Sequence, residues 1–312
     1  MKQSRLLFFL LLLALINYQG LANAYAKQDL VSQEKQEVSK KVVADEQDDK
    51  TIPAMEDLPF LGRPLIAIEF RGNKALSTEQ LSSNLKYVRI GQRFDQSTRE
   101  RLQTDIDRLR VLTYVDNGYL QAHFGDPELE NTEAGVKIAI SITEGVLYRA
   151  GEITIEDAKA FSPNEVLEII GLKKGDVIKG YSVVNQGIDR LKKKYGDKGY
   201  IQFNADFEPI FQDPAPGSNE AIADIKFTLD EGEIYHIGKI SFVGDGAIND
   251  ELLRSKLSIH EGEPFNKSSL DKSLSRLNRL GIFDLIKEED INYDLNEKDK
   301  RADLTFKLSV KQ

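Results

Sequence analysis

Residues that often carry enzymatic or metal chemistry are few and scattered in this sequence of 312 residues. It contains no cysteine, and its three histidines, His123, His236 and His260, fall at unrelated spacings. Structural metal sites usually draw their ligands in close pairs, so we expect surface histidines rather than metal ligands. The sequence also lacks the Gly-x-Ser-x-Gly elbow and the glycine-rich loop that cradles phosphates. These observations predict a protein that is not an enzyme and holds neither metal nor cofactor.

The charged residues predict a solvated, mostly acidic surface. The net charge is −9, which argues against nucleic acid and anionic lipid headgroups as main partners. The run Lys192 to Lys194 shares a predicted helix with Leu191 and Tyr195, so we interpret it as the solvated face of that helix. A basic docking patch is the alternative interpretation of this run.

The N-terminus has the pattern of a secretory signal peptide. Lys2 and Arg5 precede an apolar run of eleven residues, which is followed by the small-residue cleavage signals Ala22-Asn23-Ala24 and Ala24-Tyr25-Ala26. We predict a signal peptide at residues 1–26, cleaved after Ala26 or Ala24. The run is about half the roughly 20 residues of a membrane-spanning helix, so a retained anchor is the weaker alternative.

A charged stretch separates this leader from the rest of the chain. Residues 27–57 contain five lysines and nine acidic residues but no aromatic residue. Such a composition cannot bury enough apolar surface to offset the loss of chain entropy. We therefore predict a disordered acidic linker at residues 27–60.

The remaining sequence repeats itself with a period near 85 residues. Three alternating strands end at Ile142, Leu229 and Val310, which are 87 and 81 residues apart. Two of these strands run into the same tail, Glu-Gly-x-x-Tyr-x-x-Gly, which we predict to form the seams between repeats. The predicted seam residues are Glu144, Gly145, Tyr148, Gly151, Glu231, Gly232, Tyr235 and Gly238.

Each copy has the pattern of strand, helix, helix, strand, strand. The clearest signal is the second helix, whose apolar residues are spaced by four and then three positions and so form one stripe. These residues are Leu102, Ile106 and Leu109, then Val184, Ile188 and Leu191, then Leu270, Leu274 and Leu277. We predict an α+β fold with three tandem βααββ domains at residues 61–147, 148–234 and 235–312. Each has a three-stranded mixed sheet with two helices on one face.

This arrangement resembles the polypeptide-transport-associated (POTRA) repeat. The resemblance rests on the βααββ order, the Glu-Gly-x-x-Tyr seams and the signal peptide, and covers roughly Pro64 to Gln312. It implies the periplasmic arm of a protein that inserts barrels into the outer membrane or translocates polypeptides. Its implied partners are unfolded outer-membrane proteins and a β-barrel assembly or translocation subunit, through which alone it would contact the membrane.

The resemblance leaves the form of the protein open. No stretch of this sequence has the pattern of the alternating, aromatic-girdled strands of a membrane barrel. We expect either a periplasmic array that works with a separate barrel, or the detached arm of a truncated barrel protein. Further alternatives are an N-terminally anchored scaffold of the division-septum kind, a structural spacer, and a hydrolase with a convergent polar pocket.

One predicted strand suggests how such an array could bind its clients. The outer strands of a three-stranded sheet leave backbone groups unpaired, and proteins usually protect them with proline or lysine. The second strand of copy two has neither until Pro209, so we predict that it accepts an extended peptide as an added strand. The predicted residues are Tyr200, Ile201, Gln202, Phe203, Asn204, Ala205, Asp206 and Phe207. In copy three, Lys287 to Asp290 are expected to guard the corresponding edge.

Overall fold

A computed structural model describes residues 59–244 and 249–311. The predicted signal peptide lies outside these residues, as does the predicted linker except for its last two positions. Pro59 and Phe60 are part of the fold, because the ring of Phe60 lies 6.1 Å from the ring of Phe94. The Gly62 N–H also donates to the Phe94 carbonyl at 2.7 Å. Phe60 and Gly62 therefore both contact Phe94 of the first repeat.

The described residues contain three successive βααββ repeats, so the predicted α+β fold is confirmed. The elements of the first are β1 Leu65–Arg71, α1 Thr78–Ser83, α2 Gln96–Leu109, β2 His123–Phe124, β3 Glu128–Asn131 and β4 Val136–Thr143. Those of the second are β5 Leu147–Glu156, α3 Pro163–Ile170, α4 Gln186–Gly196, β6 Asn204–Phe211 and β7 Glu220–Asp230. Those of the third are β8 His236–Gly244, α5 Asp250–Arg254, α6 Lys267–Asn278, β9 Ile291–Asn296 and β10 Arg301–Leu308.

In every repeat the last strand is the central one. The sheet orders are β1-β4-β2, β5-β7-β6 and β8-β10-β9, with β3 also paired to β4. The first strand of each repeat is parallel to the central strand, whereas β3, β6 and β9 are antiparallel to it. In repeat one the second strand is split into β2 and β3, which differs from the prediction.

The helices lie against one face of each sheet. All nine residues of the predicted second-helix stripes are buried. In repeat two, Ile188 and Leu191 of α4 belong to the same core as Ile225 and Phe227 of β7. Residues alternate between buried and more exposed along β7 from Ala221 to Leu229, as expected for a sheet that is covered on one side.

Polar capping side chains begin four of the helices. Ser77 and Ser162 each accept a hydrogen bond from the backbone of the glutamine or glutamate three residues later, whose side chain bonds back, forming capping boxes. Asn249 and Asn266 cap α5 and α6. These polar side chains satisfy amide groups that the helix itself leaves without partners.

The contacts divide the chain into two compact units. Of the described residues, one unit contains 59–107 together with 124–143, and the other contains 108–123, 144–244 and 249–311. The end of repeat one's second helical segment therefore belongs to the same unit as repeats two and three. Among the described residues, no helix combines the length and apolar character needed to cross a membrane.

Candidate functional site

The predicted client-binding strand starts later than the sequence indicates. Strand β6 begins at Asn204, whereas Tyr200 forms an isolated bridge with Ile234 and the next two residues lie in a turn. Gly199, with a backbone φ of +98°, reverses the chain there, and its carbonyl accepts the Ile201 N–H at 3.0 Å. The Tyr200 N–H donates to Tyr195 at the end of α4. The first half of the predicted edge is therefore not an extended strand.

The second half of the predicted client-binding strand, Asn204 to Phe207, lies on β6, and its side chains alternate as expected. Ala205 is buried and Phe207 is half-buried, while Asp206 between them is exposed. Phe203 precedes the strand, and its ring stacks on Tyr195 with 3.9 Å between the centroids. The inward side chains thus fix the face that β6 turns toward the helices.

The register of β6 determines which of its amides are free to bind another strand. Gln212, directly after the strand, donates its N–H to the Ile222 carbonyl of β7 at 2.9 Å. Because amides of an antiparallel strand alternate in direction, those of Asp206 and Glu208 also point toward β7. The amides of Ala205 and Phe207 therefore point away from β7, at the outer edge of the sheet.

Pro209 lies within β6 and interrupts this outer edge. It pairs with Ile225, and by the same alternation its nitrogen faces outward. Proline has no N–H, so it is tolerated at an edge where no ladder bond is required. The outer edge consequently offers donors at Ala205, Phe207 and Phe211, with a gap at Pro209.

The edge of repeat three is less protected than predicted. Glu288 to Asp290 form a single 3₁₀ turn before the strand, and Lys287 precedes that turn. Strand β9 itself contains only uncharged residues and Asp294, with no lysine or proline. The prediction of a charged guard on this strand is wrong, because the Asp290 carboxylate accepts the Lys287 N–H at 2.8 Å and closes a turn instead.

In repeat one the corresponding edge is broken. Gly125 to Pro127 separate β2 from β3, and the Gly125 N–H donates to the Ser141 carbonyl of the central strand at 2.9 Å. A continuous added strand would find only the four residues of β3 on this edge. Repeats two and three therefore present the longer edges.

The predicted seam tyrosines both lie in the second unit, at equivalent junctions. The Tyr148 N–H donates to Gly118 at 2.9 Å, and its carbonyl accepts the Ile178 N–H at 3.1 Å. Its hydroxyl donates to the Gln121 side chain at 2.8 Å. Each polar group of Tyr148 is thus satisfied by residues before and after the seam.

Tyr235 repeats this pattern at the second junction. Its N–H donates to Gly199 at 3.0 Å and its carbonyl accepts the Phe265 N–H at 2.9 Å. Its hydroxyl donates to the Gln202 side chain at 3.0 Å. The second junction therefore reproduces, bond for bond, the connections that Tyr148 makes at the first.

The seam glutamates bond to groups earlier in the chain rather than to the following repeat. Glu231 accepts hydrogen bonds from the Lys159 and Ala160 amides at 2.6 and 2.9 Å and from the Tyr195 hydroxyl at 2.8 Å. Burial opposes its charge, but these bonds outweigh burial and hold the pKa of Glu231 below its ordinary value. Glu144 similarly accepts the Tyr114 hydroxyl at 3.0 Å.

Glycine is required at the seam positions for two different structural reasons. Gly145 and Gly232 have φ angles of +73° and +65°, which glycine adopts without strain. Gly151 and Gly238 lie inside strands β5 and β8, at register shifts. A side chain at either position would overlap an aspartate carboxylate of the central strand.

Two aspartates at the junctions were not identified from the sequence. The Asp197 carboxylate accepts the Ser268 amide at 2.6 Å and the Ser268 hydroxyl at 2.9 Å, at the start of α6. Asp116 accepts the Ser182 amide at 2.6 Å at the other junction. The signal that could have identified them is a repeated Asp-x-Gly-Tyr at 116–119 and 197–200.

Charged side chains add one more link at the second junction. Lys193 of α4 bonds Asp271 of α6 at 2.8 Å. The predicted solvated lysine run therefore contributes one of its members to this junction. Exposed ion pairs of this kind are weak, so we assign most of the junction's stability to the backbone bonds and buried tyrosines.

Comparison with known proteins assigns the class. The POTRA family, described as a surface antigen variable number repeat, matches residues 65–145, 148–232 and 235–311. The chain belongs to the POTRA family, whose domains are non-catalytic. Among the described residues, no group of three or more histidine, cysteine, aspartate or glutamate side chains could hold a metal ion.

The particular relatives are outer membrane protein assembly factors. The chain is 24% identical to BamA of Neisseria meningitidis over 225 residues, which covers 70% of this chain and 27% of the relative. It is 26% identical to a putative outer membrane protein assembly factor of Treponema pallidum, covering 69% of this chain and 26% of the relative. The chain thus spans about a quarter of the length of these relatives.

A solved structure supports the fold. The crystal structure of POTRA domains 3–5 of BamA from Haemophilus influenzae matches with a TM-score of 0.65 and 21% identity. The match covers 79% of this chain and 96% of the other.

Proposed function

We propose that this chain is a periplasmic, non-enzymatic POTRA array that takes part in outer-membrane protein assembly or polypeptide translocation. The named relatives are assembly factors, and the predicted signal peptide would deliver the chain to the periplasm. The proposed partners are unfolded outer-membrane proteins and a β-barrel subunit to which repeat three docks. Because the net charge of the chain is −9, nucleic acid is not among the proposed partners.

The proposed mechanism is transient addition of a client strand to β6. The observation that supports it is the register, which directs the Ala205 and Phe207 amides away from the sheet they belong to. Backbone hydrogen bonds would supply affinity with little dependence on client sequence. That property suits a receptor for many unfolded clients.

Two proline exchanges on β6 test this mechanism in opposite directions. Ala205→Pro removes an outward donor, whereas Pro209→Ala restores the donor that the outer edge lacks. We expect the first to weaken and the second to strengthen binding of an unfolded barrel-strand peptide, each about threefold or more, since one hydrogen bond contributes about 1 kcal/mol. Fluorescence anisotropy with a labelled peptide gives both affinities.

A side-chain exchange on the same strand provides the control. Asp206 is exposed, and its amide already faces β7. Asp206→Ala should therefore leave peptide affinity within about twofold, since an exposed charge contributes little. If both proline exchanges leave binding unchanged while the circular dichroism of the folded protein is retained, the strand-addition mechanism is wrong and a spacer role gains support.

The mature N-terminus distinguishes an exported array from an anchored scaffold. Mass spectrometry of the protein from its native membrane fraction should show a chain that begins after Ala24 or Ala26. An intact Met1 would instead support the retained anchor and the scaffold alternative.

A further inference from the structure

A basic concavity lies at the C-terminal ends of α5 and α6 in repeat three. It has a volume of about 370 Å³ and is lined by Ser255, Lys256, Arg276, Arg279 and Leu280. Three of these five residues are cations, and none is acidic. This local charge contrasts with the net charge of −9 of the whole chain.

The three cations are available for an external partner. Among the described residues, the side chains of Lys256, Arg276 and Arg279 form no hydrogen bond or ion pair. Arg254, directly before the lining residue Ser255, is by contrast paired with Asp250 and Glu261. An alternative explanation is that these cations interact with the carbonyl groups at the C-terminal ends of the helices. That interaction does not require three cations around one concavity.

We propose that this concavity binds an acidic segment of a partner protein. Arginine guanidinium groups bind carboxylates through paired, geometrically fixed hydrogen bonds. Leu280 in the lining supplies an apolar contact between the charged groups. The expected ligand therefore carries two or more carboxylates beside an apolar side chain.

Exposed apolar residues follow the concavity along the chain. Ile282 and Leu285 are 43% and 68% exposed, and both belong to the segment that connects α6 to β9. Exposed large apolar side chains of this kind can mark a protein interface. The partner would cover them together with the concavity.

A membrane surface fits the concavity less well than a protein segment. An anionic bilayer presents charge over an extended plane, so it would also face other parts of a chain whose net charge is −9 and be repelled by them. A peptide segment contacts the concavity alone and avoids that repulsion.

This inference extends the proposed docking role of repeat three and is independent of strand addition at β6. The two can fail separately, because the residues concerned lie in different repeats. Loss of peptide binding at β6 would leave ligand binding at the concavity unchanged. Loss of acidic-segment binding would leave the strand edge unaffected.

The test compares charge removal in the concavity with charge removal elsewhere in repeat three. The probe is a fluorescein-labelled peptide that alternates glutamate with leucine, and its matched control has glutamine in place of glutamate. The double variant Arg276→Gln/Arg279→Gln removes two lining charges. Its control, Lys298→Gln/Lys307→Gln, removes two exposed charges of the same repeat without touching the concavity.

We expect the lining variant to bind the acidic peptide about fivefold or more weakly than the unsubstituted protein does. The control variant should differ by less than about twofold at equal salt concentration. The glutamine peptide should bind weakly to both. An equal loss in the two variants would reduce the effect to general charge attraction and overturn the proposal. Binding to phosphatidylglycerol vesicles that needs Arg276 and Arg279, without binding of the peptide, would overturn it in favour of a lipid headgroup.

Discussion

At the scale of single residues, Glu231 is the most informative side chain. The sequence marks it only as part of a recurring seam, but the structure places it in a pocket where it is 8% exposed and accepts three hydrogen bonds. It joins the loop before α3 to the end of α4 through Tyr195. The three donors stabilise the charged form of this buried carboxylate, and their hydrogen bonds contribute to the stability of the fold.

Glu231→Gln should destabilise the protein by about 1–3 kcal/mol at neutral pH, because it replaces a charged acceptor of three hydrogen bonds. The pKa of Glu231 is held below its ordinary value of 4.5, so its stabilising effect is present above that pH. The effect is lost as the pH falls through the lowered pKa. Urea unfolding measures the difference in unfolding free energy between the unsubstituted protein and Glu231→Gln. This difference should be smaller at acid pH than at neutral pH. Glu233→Gln, an exposed neighbour, should show no difference at either pH.

Asp197→Ala should loosen the start of α6, because Asp197 is bonded to both the amide and the hydroxyl of Ser268. Loss of such a capping interaction costs about 0.5–2 kcal/mol. Hydrogen exchange should become faster at Ser268 and its neighbours. Asp189→Ala, an exposed change on α4, should leave that exchange unchanged, and equal effects of the two would contradict the assigned role.

At the scale of elements, the sequence predicts helices better than strand ends. The apolar stripes of the second helices are recognisable because their periodic spacing is a local signal. Helix caps are recognisable for the same reason, because a polar residue directly precedes the helix. The start of β6 was misplaced because alternation continues through Tyr200 to Phe203 although the chain is turning there. That turn depends on the contact of Gly199 with Tyr235, 36 residues later, which no local pattern encodes.

The polar groups that hold the junctions were predicted only in part. Tyr148 and Tyr235 were visible because they recur at one spacing, but their partners lie in other elements. Asp105 shows the same limitation: it is fully buried and accepts the amides of Lys86, Tyr87 and Val88, yet nothing near it in sequence signals this. Long-range hydrogen bonds require the fold before their donors can be named.

Gly199→Ala should be more damaging than Gly217→Ala. Both glycines have positive φ, at +98° and +77°, so both substitutions introduce backbone strain of about 1–3 kcal/mol. Only at Gly199 would the new methyl group also approach Ile234 to 2.8 Å, whereas the space around Gly217 is open. Thermal unfolding should show a lower Tm for Gly199→Ala, and equal Tm values would contradict the close packing at this junction.

At the scale of the whole molecule, three repeats of one design differ chiefly at their edges. Repeat one has a broken edge, repeat two has β6 with a single proline, and repeat three has β9 without a guard. Family membership defines the fold they share, and the proposed client binding depends on these differences. We propose that clients bind as an added strand on the outer side of β6.

Amide hydrogen exchange on β6, measured by NMR with and without a saturating unfolded barrel-strand peptide, tests this claim most directly. Strand addition protects only the outward amides, so exchange should slow at Ala205 and Phe207. Asp206 and Glu208 already donate toward β7, and their exchange should change little. Uniform protection along β6, or none at Ala205 and Phe207 while the peptide is bound, would contradict the account.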